Sequence, residues 1–456
     1  MKITYIGAGS IQFGPLIIQD ILMSDLLCKE GLEIHLMDIE RSHLTEVIKH
    51  GDYVNQKLNR QAKIFGTTNL KEAIRDADFV ICALEKDRNI YWSQDFHIPR
   101  KYGFKQVYGE NGGVGSFFHA LRNIKPIIEL AKLMEDLCPN ALLLNFSNPE
   151  HKICQAVSQL TSIQSIGLCH GVFMGRDQIS EMLEIPLSEI QTKACGMNHF
   201  TWFQEIKHVT TGEDLYPQLK AREQEGDWLA KWHELALGRI LYRRFGLWPS
   251  PASNHYGEYL NWAGEFVIHQ LQFFYDPWEG HPWEKNEIPE GVYTVDRVNY
   301  ERPWKKDSNE KLLPVGSTEA IKFKNEDGSF KRSGEIATHI MEATLSDENR
   351  WLEAVNIPNK GAIPNLPDDL VVEVPAYANR NGIKGHQMKA LPEAVAAIIR
   401  LHGSIHKLIV EAYQEGSKDK LMQAILIEPS VNSYRNAIDM CNEMLSLQKH
   451  VLPEIK

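Results

Sequence analysis

The stretch KITYIGAGSIQFG (2–14) decides the fold. KITYI (2–6) is a β-branched and apolar run, and GAGSIQFG (7–14) turns the chain directly out of it. Such a turn offers backbone N–H groups and a helix N-terminus to a pyrophosphate. Gly7 and Gly9, with Ser10 beside them, fit the opening of the dinucleotide fingerprint, but Gln12 stands at its third glycine and Gly14 follows two residues later. A tight turn holding no ligand is the competing reading. A second strand, ending in HLMDIE (35–40), favours the nucleotide, because Asp38 can bind both ribose hydroxyls and disfavour a 2′-phosphate. The cofactor predicted is therefore NAD+ rather than NADP.

Outward from this unit, the next strands are EIHLM (33–37), DFVICA (78–83), ALLLNF (141–146) and SIQSIGL (162–168), with helical patterns at 42–58 and 119–137. Alternating β and α segments predict an α/β fold, a doubly wound parallel sheet of the Rossmann type. From about residue 200 the character changes, and tryptophans and prolines crowd 276–304, with Trp278, Trp283 and Trp304 read as core by default. Helical patterns return at 393–416 and 430–450.

Bulk composition narrows the function. The chain has 456 residues and a net charge of −11, so it lacks the basic surplus a nucleic-acid partner requires. No apolar run reaches the ~18 residues that span a bilayer. The N-terminus reads as a strand rather than a signal peptide, and seven scattered cysteines suit a reducing cytoplasm.

Three later segments carry the chemistry. In NFSNPEH (145–151), Asn148 follows a strand, at the carboxyl end where open α/β sheets bind ligands. IGLCHG (166–171) ends the next strand with Cys169 and His170, and ACGMNHFTWF (194–203) presents Asn198 and His199 about thirty residues later. A thiolate and an imidazole from separate elements suit a divalent transition metal completed by substrate oxygens and water. Taken singly, each residue has an ordinary packing explanation.

The sequence resembles glycoside hydrolase family 4, the NAD- and metal-dependent glycosidases. The resemblance runs through GAGS, ADFVICA (77–83), HALR (119–122), SNP (147–149), GLCH (167–170) and GMNH (196–199). It continues through TGEDLYPQLKAR (211–222), NHYGEY (254–259), PNLPDDLVVEVPAYANRNGIKG (364–385) and ALPEAVAA (390–397). It implies a Rossmann-type NAD domain at 1–195 and an α+β substrate and oligomerisation domain at 196–456, in a lactate/malate dehydrogenase-like architecture. It also implies a homodimer or homotetramer acting on a small saccharide.

The chemistry implied by the resemblance is a transient oxidation of the sugar at C3 by NAD+, removal of the acidified C2 proton, elimination of the glycosidic oxygen, addition of water and return of the hydride to C3, which regenerates NAD+. Cys169 and His199 then become ligands of Mn2+ or another divalent transition metal. Asn148, Arg122 and Asn198 bind substrate, and His170 assists the leaving oxygen. For the C2 base, NHYGEY offers His255, Tyr256 and Glu258, with Tyr256 placed slightly ahead of His255. GLCH resembles the α-galactosidase branch and its uronidase relatives, whereas branches acting on 6-phosphosugars usually carry another residue after the cysteine. Two features depart from that pattern. GENGGVGSFF (109–118) replaces the usual GPGG, and NHFTW (198–202) resembles uronidases, for which Arg100, Lys101, Arg380 and Lys384 are candidate carboxylate partners.

The expected activity is hydrolysis of unphosphorylated α-galactosides. An α-galacturonidase, α-glucuronidase or α-glucosidase of the same family is the alternative. A 2-hydroxy-acid dehydrogenase shares the nucleotide fold but needs no Cys169/His199 pair, and a sugar- and NAD-binding sensor predicts binding without turnover.

Overall fold

The computed structural model describes residues 1–10, 13–29, 31–225, 232–267, 271–273, 280–285, 292–294, 325, 327–346 and 348–456. Trp278, Trp304 and Gln12 lie outside them. The N-terminal strands are β1 (Lys2–Ile6), β2 (Glu33–Met37), β3 (Lys63–Thr67), β4 (Phe79–Cys82), β5 (Leu142–Asn145) and β6 (Ser165–Gly167). They pair in parallel in the order β3-β2-β1-β4-β5-β6. Side chains alternate faces, so in β4 Phe79 and Ile81 pack on one side while Val80 and Cys82 pack on the other. Helix Gly14–Leu22 covers the first face, with Pro15 at its start. Helix Gly115–Leu137 covers the second, joined by Ile405 and Ile409 of helix Glu393–Glu415 and Met440 of helix Tyr434–Leu447.

The sheet does not end at β6. Strands β7 (Ile190–Met197), β8 (Phe200–His208), β9 (Trp248–Ser250), β12 (Arg350–Pro358), β13 (Val371–Asn379) and β14 (Gly382–Gly385) extend it, while β10 (Leu271–Phe273) and β11 (Val292–Thr294) form a separate ribbon. Beyond β6 the order runs β12-β13-β7-β8-β9, and all of these pairings are antiparallel. The seam is a row of registered residues, Gly167 to Asn356 to Glu373 to Gly196. The expected division after residue 195 falls inside β7. A parallel doubly wound half followed by an α+β half is thus the architecture expected from the sequence.

Candidate active site

In a sheet ordered 3-2-1-4-5-6, the strand order reverses between β1 and β4, and ligands bind beyond the carboxyl ends there. A cavity of ≈ 500 Å³ opens at this place. Ser10 and Phe13 form its nucleotide end, Ser147 and Asn148 its wall after β5, and Cys169, His170, His199 and His255 its far side. The sequence-selected residues Ser10, Asn148, Cys169, His170, His199 and His255 therefore share one cavity.

Cys169 follows β6 by two residues, and its Sγ accepts the Gly171 N–H at 3.4 Å. Burial pushes the thiol up, with hydrogen bonds from Asn198 and Gly171 pulling the other way. A thiolate at this depth needs a cation beside it. His199 is the second residue of the two-residue turn between β7 and β8, held at φ +63°, in the left-handed region. Its ring is buried, its Nδ1 has no hydrogen-bond partner among the described residues, and burial keeps it neutral with a lone pair available. These properties fit a divalent transition metal. Among the described residues no group of three or more His, Cys, Asp and Glu side chains forms a closed ligand set. Two protein donors alone would leave positions for substrate oxygens and water.

Glu373, in the VEVP segment of β13, braces this pair. Its carboxylate accepts from Asn198 and Asn356, each at 3.4 Å, and from the Thr201 hydroxyl. Asn198 is fully buried beneath Cys169 and does not line the cavity, so the structure makes it a support for the thiol rather than a sugar contact. The glycine of GLCH has a steric reason: a Cβ on Gly167 would lie 1.2 Å from Glu150 Oε1.

His170 places Nε2 3.0 Å from Glu335 Oε1, and that hydrogen bond raises its pKa. His255 sits in the short helix Ser253–Tyr256, with Nδ1 2.6 Å from Asn254 Oδ1. The Asn254 amide donates to Tyr108 Oη at 2.5 Å, so Oδ1 is the acceptor and His255 Nδ1 carries the proton. The His255 Nε2 lone pair is then the basic one. His255 and His199 meet edge to face at 4.5 Å.

Tyr256 is placed differently from expectation. One helical residue is a rotation of about 100°, which carries its ring away from the cavity and into the core with Leu237 and Leu241. Its hydroxyl meets Ser253 Oγ at 3.1 Å, and burial raises its pKa. Arg122 is also away from the cavity. It pairs with Asp95 at 2.8 Å and with Gln448 at 2.7 Å, tying helix Gly115–Leu137 to helix Arg88–Lys101 and the C-terminal segment. Arg100, Lys101, Arg380 and Lys384 do not line the cavity.

At the nucleotide end, Gly7 has φ +79° and a Cβ there would lie 2.2 Å from Ala83 O. The Gly9 N–H donates to Asp38 Oδ2 at 2.8 Å, and the Glu40 N–H donates to Oδ1 at 2.9 Å. Asp38 therefore anchors the glycine turn while its remaining lone pairs are able to receive ribose hydroxyls.

The family 4 glycosyl hydrolase description matches residues 2–185, and the family 4 glycosyl hydrolase C-terminal domain matches 194–431. The chain belongs to glycosyl hydrolase family 4. An α-glucosidase of Erwinia rhapontici is 31% identical over 494 residues, covering 100% of this chain and 99% of the relative. An α-galactosidase of Bacillus subtilis (strain 168) is 29% identical, covering 100% of both chains. A 6-phospho-α-glucosidase from gut microorganisms, solved with NAD and Mn2+, shares the fold at a TM-score of 0.77 and 21% identity, over 100% of this chain and 99% of that one.

The cavity of this family 4 glycosidase also brings together residues that the sequence did not single out. Glu85, Arg88 and Glu110 line the cavity, and Glu335 and Glu373 support it. Glu110 stood inside the departing segment 109–118, which was the available signal. Glu373 stood inside the VEVP of the 364–385 segment, which was its signal, whereas Glu335 lies far along the chain from His170 and no local pattern marks it.

Proposed function

We propose that this chain hydrolyses small unphosphorylated α-glycosides, α-galactosides first, with NAD+ and a divalent transition metal such as Mn2+. The observation that carries the reading is the meeting of Cys169, His199 and His255 on one cavity at the switch point of a nucleotide-binding sheet. The end-to-end α-galactosidase relative and the GLCH segment favour a galactoside, and the α-glucosidase relative makes an α-glucoside the second reading.

Bound NAD+ would supply an acceptor for hydride from a sugar carbon and give it back before product leaves, and the metal would polarise neighbouring sugar oxygens. Gly7, Gly9, Ser10 and Asp38 hold the nucleotide, while Cys169 Sγ and His199 hold the metal. Asn148 positions sugar hydroxyls. His255 Nε2 removes the proton beside the oxidised carbon, a role that the buried Tyr256 hydroxyl is badly placed to fill. His170, its Nε2–H directed at Glu335 and its pKa raised by that bond, would in its protonated form assist the leaving oxygen through Nδ1–H. As in the resemblance, we propose a homodimer or homotetramer, checked by light scattering.

A panel of nitrophenyl α- and β-glycosides with NAD+, Mn2+ and a thiol reductant tests the reading. The expected result is α-galactoside cleavage with no net NADH. Steady NADH production from 2-hydroxy acids, with no glycoside cleaved, would overturn it.

A further inference from the structure

The cavity has an unusual charge arrangement. Among its described lining residues Arg88 is the one arginine or lysine, and it faces Glu85 and Glu110. Its Nη2 lies 2.5 Å from Glu110 Oε1, its Nη1 lies 3.7 Å from Glu85 Oε2, and its guanidinium stacks 4.4 Å over the Trp92 ring. The guanidinium is thus fixed on an aromatic face and neutralised from two sides.

The main chain around Glu110 is held as well. Its N–H donates to Glu258 Oε1 at 2.8 Å, and the next N–H, from Asn111, shares the same carboxylate at 3.1 Å. Lys152 Nζ donates to Asn111 O from below. Gly112 packs so closely that a Cβ would lie 2.5 Å from Glu258 O, and Gly109 and Gly113 take φ of +70° and +72°. The backbone that carries Glu110 is therefore fixed, and its buried carboxylate is held on Arg88 by the ion pair itself.

We propose that Glu110 makes this cavity selective for uncharged glycosides, by immobilising Arg88 so that a 6-phosphate or a C6 carboxylate meets two carboxylates and no free cation among the described residues. The inference rests on the glycosidase reading above and deepens it to a substrate class. It also gives the 109–118 departure a function: that segment sets the charge of the site.

Binding of galactose, galactose 6-phosphate and galacturonate to the NAD+- and Mn2+-loaded protein, followed by calorimetry, tests it. In the unsubstituted protein galactose binds at least tenfold more tightly than either anion. Glu110→Gln narrows that preference at least tenfold, and adding Arg88→Met restores it. Arg88→Met alone leaves the preference within twofold, which keeps a test available if Glu110→Gln fails to fold. Equal binding of galactose and its 6-phosphate overturns the inference and leaves the glycosidase reading standing. So does a Glu110→Gln protein that folds with its preference unchanged, or a large loss of discrimination in Arg88→Met. Failure of all three sugars to bind overturns the glycosidase reading, and the inference with it.

Discussion

Replacing Cys169 with serine exchanges a polarisable sulfur for a hydroxyl that stays protonated at neutral pH. Cys169→Ser is expected to weaken Mn2+ binding by about 100-fold or more, on the scale seen when a ligand set is disturbed, while NAD+ affinity stays within a few fold. Calorimetric titrations of each cofactor separate the two effects. At the base, His255→Asn is expected to lower kcat by about 10²–10⁴-fold, the usual contribution of a positioned base. Tyr256→Phe should retain kcat within a few fold, and the opposite ranking would return the role to the tyrosine. Cys169 and His199 were legible because each follows a recognisable strand pattern. The Tyr256 direction was not, because adjacent helical residues diverge and only the packing against Leu237 selects which one faces the cavity. Arg122 was misread for a similar reason, since its partners Asp95 and Gln448 lie 27 and 326 residues away in the chain.

The β7–β8 turn holds His199 in a backbone conformation that costs roughly 1–2 kcal/mol for an L-residue. His199→Gly should relieve that cost and leave the midpoint of thermal unfolding unchanged or raised, while Mn2+ binding is lost. A strong fall in the midpoint would show that ring packing, not metal binding, selects the residue. Glu373→Gln removes the charge that organises Asn198, Asn356 and Thr201, and is expected to weaken Mn2+ about 10–100-fold with the protein still folded. Among the strands, β1 and β2 match the sequence reading residue for residue, because Ile3 and Tyr5, and Ile34 and Leu36, recur at the strand period and are buried on one face. β3 escaped notice: KIFGT is an edge strand, largely exposed, and its composition reflects solvent rather than core. Helix Arg88–Lys101 escaped as well. Its side chains serve the cavity and the Asp95–Arg122 pair, so no single apolar stripe marks it.

Across the whole molecule, Glu342 joins distant parts of the N-terminal face. Ser24 Oγ donates to it at 2.6 Å, Arg332 at 2.8 Å and Arg350 at 2.5 Å. Burial alone would raise this carboxyl, but those hydrogen bonds bring it down to about 2. Its folded pKa lies below the unfolded value, so its contribution is full above about pH 4.5 and fades as pH falls toward 2. Acid denaturation of Glu342→Gln should therefore be shallower than that of the unsubstituted protein below pH 4.5. The α/β class was readable from alternation alone, but the continuation of the sheet through β12 and β13 was not. Those strands arrive almost two hundred residues after β6, and only the tertiary fold brings them beside it. That seam has a consequence for how the enzyme breathes. Halves sewn into one sheet cannot swing apart like a clamshell without tearing the ladder at Asn356 and Glu373. Sugar entry and product escape must therefore proceed without the two halves parting.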